Sequence, residues 1–183
     1  MPETYKMHPQ GLYFVTLTVV GGIDIFTRYE YCDLLVENLN YCIDHKRLRV
    51  YEYAIMPSQL YMVAGVEKGN LPKVLRDLKS YSAKQILRAI AEHPEESRKE
   101  WLLRLFQFFA NRYQNNAEHH FWQFGNQPID LDKVVKKEQL LPSPLDNLLK
   151  ANIIEGPEHY VYCSAYPRQK VKLSTPDTVK DPE

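Results

Sequence analysis

The 183-residue sequence holds only three cysteines, Cys32, Cys42 and Cys163, an odd number at wide spacing. That set excludes a disulfide framework and any CxxC metal ribbon, and it fits a reducing compartment. No run of about 18 apolar residues occurs, so no membrane span is expected. The opening MPETYKMHPQ has no apolar stretch and does not read as a signal peptide, so a cytoplasmic chain is expected. No sign of charge dominates either. Lys+Arg and Asp+Glu both count 23, for a net charge of zero. That balance argues against a generally basic nucleic-acid binder. HExxH, Walker, GxGxxG and GxSxG patterns are all absent. Zincin, P-loop, dinucleotide and serine-hydrolase readings therefore have no support.

What remains is ordinary. The 44% apolar and 25% charged fractions suit a globular domain, and the length allows a real core. Leu12 to Val20 is rich in β-branched and aromatic residues and apolar on both faces, which predicts a central strand ending at Gly21-Gly22. From Arg28 to His45 the period becomes helical, with Tyr31, Leu34, Leu35, Leu39, Cys42 and Ile43 on one stripe. Val50 to Met56 and Leu60 to Val66 predict two more strands. The short loop between them makes them antiparallel neighbours. Leu71 to His93 predicts a long helix with Leu71, Val74, Leu75, Leu78, Ile86 and Ile90 buried. Pro94-Glu95-Glu96 predicts the start of another, running to Arg112. Phe121 to Phe124 and Ile129 to Leu131 predict short extended pieces, and two weak helical pieces flank Pro142 and Pro144. The order predicts an α+β domain over residues 1–166, with helices on a mainly antiparallel sheet. The polar stretch 167–183 predicts a flexible tail.

Candidate chemistry is sparse. Of six histidines only His119 and His120 are adjacent, and sequence neighbours on a strand point to opposite sides. Cys32 and Cys42 lie ten residues apart on one helix and read as core thiols. The segment from Lys73 to Arg88 stands out. Lys73, Arg76, Lys79, Lys84 and Arg88 face a single acid, Asp77, for a local charge of +4. Ser80, Tyr81, Ser82 and Gln85 lie among them; Ser and Gln can bond phosphates and Tyr can stack on a base. The same pattern equally describes the solvated face of an amphipathic helix. The 13 tyrosines are candidate nucleophiles in principle, but each is more simply an amphipathic core or rim residue.

Four segments together resemble one family. They are Tyr13-Phe14-Val15-Thr16-Leu17-Thr18; Ala54-Ile55-Met56-Pro57-Ser58-Gln59-Leu60-Tyr61-Met62-Val63; Phe121-Trp122-Gln123 with Asn126-Gln127-Pro128-Ile129; and Pro157-Glu158-His159-Tyr160-Val161-Tyr162-Cys163-Ser164-Ala165. In this order, from Gly11 to Tyr166, they resemble the single-tyrosine HUH transposases, which move insertion sequences through single-stranded DNA, and the related REP-associated tyrosine transposases. The resemblance implies a ferredoxin-like α+β core, a homodimer and recognition of DNA hairpins.

The resemblance also implies a chemistry whose residues are not found here. In the family, two histidines at i and i+2 of one strand help to hold Mg²⁺ or Mn²⁺, and a tyrosine on a late helix attacks the phosphate. The strand carries Gln59 and Tyr61 at the two histidine positions. A neutral amide and a phenol with pKa near 10 are poor ligands, so no metal cofactor is expected. A third common family histidine corresponds to Gln127. After Leu145-Asp146 the sequence continues with Asn147, and no tyrosine lies between Tyr113 and Tyr160. The expectation is a transposase-like protein without catalysis that binds single-stranded or hairpin DNA. Lys73, Arg76, Lys79, Ser82, Lys84 and Arg88 would be its DNA contacts. Two alternatives stand beside it: an active metal-dependent strand transferase using unusual residues, and a protein-interaction module that no longer binds DNA.

Overall fold

The computed structural model describes residues 11–113, 118–125, 128–136, 142–151 and 154–175. Strand β1 (Tyr13–Thr18) sets the plan. Alternation sends Tyr13, Val15 and Leu17 into the main core, while Phe14 joins Val63 and Leu131 on the other side. Helix α1 (Tyr29–Lys46) buries Tyr31, Cys32, Leu35, Val36, Leu39 and Cys42 against that core. It ends at Arg47, whose φ of 58° is left-handed. Strands β2 (Leu48–Met56) and β3 (Gln59–Val66) follow, joined by Pro57 and Ser58 alone. That turn is clamped from outside: the Pro57 carbonyl accepts from the Ile25 and Phe26 amides (2.8 Å each), and the Ser58 carbonyl from Val19 (2.8 Å).

Helix α2 (Leu71–Glu92) starts on Asn70, whose side chain accepts from the Lys73 amide. Helix α3 (Lys99–Arg112) follows. The late elements are β4 (Ile129–Asp130), α4 (Leu131–Lys136) and α5 (Pro144–Lys150), the last capped by Ser143. The sheet is antiparallel in the order β2-β3-β1-β4. With α1 after β1 and α2 after β3, this is the α+β layout that the sequence order predicts, in the ferredoxin-like arrangement that the resemblance implies. Among the described residues no helix is long and apolar enough to cross a membrane.

The sheet has two unlike faces. α1 and α2 bury their stripes with the residues of β1, β2 and β3 that point their way. On the opposite face, α5 packs Leu145 and Leu148 against Ala54, Met56 and Cys163.

Two expectations are corrected. α3 starts at Lys99 rather than at Pro94, because Glu96 is drawn inward. Its buried carboxylate meets Arg28 (2.9 Å) and Arg98 (3.2 Å) and accepts from the Tyr31 hydroxyl (3.1 Å). A helix through residues 94–98 would give up that cluster. The second correction concerns the tail. Residues 167–175 are docked along α1 and β2; residues 176–183 lie outside the described residues. Val171 is buried in the main core, and the Ser174 amide donates to the Val50 carbonyl (2.7 Å). Asn40 donates to the Lys170 carbonyl and accepts from the Lys172 amide.

Candidate functional site

The strand pair comes first. In the β1–β3 register Thr18 faces Gln59 and Thr16 faces Tyr61; in β2–β3, Met56 faces Gln59 and Ala54 faces Tyr61. Gln59 and Tyr61 therefore share a face, the one that α5 covers. Both are half-buried. Their polar atoms are spent on one another. The Tyr61 hydroxyl donates to Gln59 Oε1 (2.6 Å), and Gln59 Nε2 donates to Thr18 Oγ1 (3.3 Å). Burial raises the Tyr61 phenol above its ordinary value, outweighing the opposing effect of its bond to Gln59.

This arrangement does not fit a divalent cation. Such an ion takes deprotonated or neutral lone pairs aimed at one point. The Gln59 oxygen already accepts a hydrogen bond, and the Tyr61 oxygen keeps its proton. Among the described residues no group of three or more His, Cys, Asp or Glu is placed to hold a metal.

The late helix carries no better nucleophile. Asn147 sits half-buried on α5, and its amide turns back to the Ser143 carbonyl (3.3 Å). Gln127 lies outside the described residues. Two of the tyrosines that follow α5 have structural duties. The Tyr160 hydroxyl donates to the Ile55 carbonyl (2.7 Å), and that of Tyr162 to Asp33 (3.0 Å). Burial is the first cause that raises both phenols.

The basic helix faces the other way. Lys73, Arg76, Lys84 and Arg88 are exposed, and at 3.6 residues per turn they share one arc of α2 with Ser80 and Tyr81. Two are partly countered on their own helix, Arg88 by Glu92 (2.8 Å) and Arg76 by Asp77 (3.7 Å). Lys79 lies off this arc. Its ammonium donates to the Gln123 carbonyl (2.6 Å), and burial lowers its pKa. Ser82 is placed in the core rather than on the surface. Its hydroxyl donates to the Leu78 carbonyl (2.7 Å) and accepts from the Trp122 indole (3.0 Å). The structure thus brings four of the six expected DNA contacts together and turns the other two toward the segment 121–123.

This architecture matches a solved structure. A REP-associated tyrosine transposase bound to a REP hairpin superposes with a TM-score of 0.54 at 11% identity, over 89% of this chain and 82% of that one. The chain has the fold of a tyrosine transposase. No family model matches the sequence, and no curated protein matches it. At this identity the likeness speaks for the backbone plan alone. Within the transposase fold, the segment 121–123 is extended as the sequence predicts, and the segment 162–164 is a joint that local pattern leaves undefined. Trp122 bridges Val19, and Cys163 bridges Ala54. Glu96 is the charged residue that sequence reading assigned to the wrong role. Its place after Pro94 gave a helix-start signal, and nothing local reports Arg28, 68 positions earlier.

Proposed function

We propose that this chain is a non-catalytic DNA-binding protein on a transposase scaffold, a pseudoenzyme that reads single-stranded or hairpin DNA through the outer face of α2. It would act as a cytoplasmic homodimer. The observation that carries the reading is the arc of Lys73, Arg76, Lys84 and Arg88, four exposed cations in a chain of zero net charge. Phosphate contacts need one such face and not a basic whole. The structural likeness to a transposase bound to a DNA hairpin supports the choice of ligand. The closed chain of hydrogen bonds from Tyr61 through Gln59 to Thr18 supports the absence of strand transfer.

A hairpin titration at two salt concentrations tests the reading. Binding should weaken as salt rises, with a slope of about 0.7–0.9 per phosphate contact. Replacing Lys73 and Lys84 by alanine should weaken binding to all hairpins and lower that slope by about one per residue. No binding at low salt would overturn the DNA reading. A covalent protein–DNA adduct formed with Mg²⁺ or Mn²⁺ would overturn the non-catalytic part.

A further inference from the structure

The end of α3 and the segment 118–125 build a cluster of rings that the core does not absorb. Phe124 is 62% exposed and Tyr113 is 43% exposed. They meet edge to face at 5.3 Å. His120 lies behind both, 4.3 Å from the Phe124 ring and 5.1 Å from that of Tyr113. Phe109 stacks on Tyr113 at 6.2 Å.

These rings are exposed yet held in place. The His120 amide donates to Phe106 (3.0 Å), the Val20 amide to Phe121 (2.8 Å) and the Gln123 amide to Thr18 (2.8 Å). The Trp122 indole is fixed on Ser82 (3.0 Å). Phe124 therefore follows a stretch fastened to α2, α3 and β1. A ring ordered in advance loses little freedom on binding. Clustered exposed aromatics on a fixed backbone mark a binding surface rather than chance exposure.

Charge indicates the occupant. Lys79 donates to the carbonyl of Gln123, the residue before Phe124 (2.6 Å), and stands on α2 one turn beyond Arg76. Lys79, half-buried on the flank of α2, thus stands between the exposed cationic arc and the ring cluster. Stacking rings beside cations that track a backbone are the elements with which proteins hold single-stranded nucleic acid. An apolar partner protein would not need the cations.

We infer that Phe124 and Tyr113, backed by His120, form a stacking platform for an unpaired base of single-stranded DNA that runs on from the DNA held by α2. This rests on the DNA-binding reading and adds to it a place for the strand that leaves the hairpin. Any base can occupy the platform, because every base has a π-face.

Two probes separate the two readings. One is a blunt hairpin; the other is the same hairpin with a five-nucleotide thymidine overhang. The intact chain should bind the overhang probe roughly 5- to 150-fold more tightly. Phe124→Ala should remove that gain and leave blunt-hairpin affinity unchanged, and Phe124→Trp should restore it. Unfolding curves of the variants establish that the fold is kept. Equal affinity of the intact chain for both probes overturns the platform and spares the DNA reading. A full overhang gain in Phe124→Ala overturns it as well. Failure to bind either probe at low salt overturns both readings. Loss of self-association in Phe124→Ala would give the patch to a second copy of the chain and also overturn the proposal.

Discussion

Removing the Glu96 carboxylate tests how the α2–α3 corner is held. The side chain is fully buried, and Arg28, Arg98 and Tyr31 converge on it. In Glu96→Ala the buried Tyr31 hydroxyl loses its acceptor, which costs about 1–3 kcal/mol. The Arg98 amide loses its bond to Glu96 Oε1 as well. The two guanidinium groups fare better. Their side chains are 31% and 34% exposed, so water solvates the charge that is left. Breaking a buried pair costs about 3–5 kcal/mol, and this solvation places the site at the low end, about 3 kcal/mol. For a chain of this size that lowers Tm by about 6–12 °C. Urea unfolding should show the loss in the midpoint with an unchanged slope. Glu96→Gln keeps the shape and should cost less. The carboxylate also makes stability depend on pH. Burial opposes its ionisation, but the bonds from Arg98 and Tyr31 outweigh burial and depress its pKa. A depressed pKa gives stability that is present above the unfolded value of about 4.3 and lost as pH falls through the folded value. The gap between the intact chain and Glu96→Gln should therefore narrow below that pH. A loss in Glu96→Ala under about 1 kcal/mol would refute the account of a load shared by three donors.

Three further outcomes follow from the packing. Burial pushes the Cys32 thiol up to about 12 and the Cys42 thiol up to about 11, so a thiol reagent at pH 8 should label them only as fast as the chain opens; immediate labelling of the folded chain would contradict this. Gly21 and Gly22 both have φ near +66°, but a methyl on Gly21 would meet the Phe109 ring at 2.7 Å while one on Gly22 would meet nothing. Gly22→Ala should cost about 1–2 kcal/mol from backbone strain, and Gly21→Ala measurably more in the same unfolding assay; equal losses would contradict the contact. Truncation after Tyr166 removes the buried Val171 and should cost about 1.5–3 kcal/mol of burial, read as a lower Tm; an unchanged Tm would mean that the docked segment contributes nothing.

Periodicity carried most of the fold into view. β1, α1, the β2–β3 hairpin and α2 all follow from local pattern, because each buries one stripe or one alternating face. What local pattern misses is held by distant partners. Val171 and Leu173 stand alternately with lysines in a polar stretch, so composition reads residues 167–175 as a tail although both side chains pack against the core. Lys79 looks like its neighbouring cations until Gln123, 44 residues on, supplies its acceptor. Ser82 is different, because its misreading was avoidable. It stands four residues from both Leu78 and Ile86, on the buried stripe, and only its hydroxyl suggested the surface. For the strand pair, alternation places Gln59 and Tyr61 on one face, but only coordinates reveal that they bond each other.

The sheet has a consequence for variation. Gln59 and Tyr61 lie on the sheet face where α5 packs, while the cations of α2 point into solvent from the opposite side. One short relay joins them: Gln59 bonds the Thr18 side chain, the Thr18 carbonyl accepts from the Gln123 amide, and the Gln123 carbonyl accepts from Lys79 of α2. Away from that line the two surfaces are separated sites, and such sites contribute independently. One surface can drift through substitution after substitution while selection acts on the other, and the Thr18–Gln123–Lys79 line is where their histories must run in step.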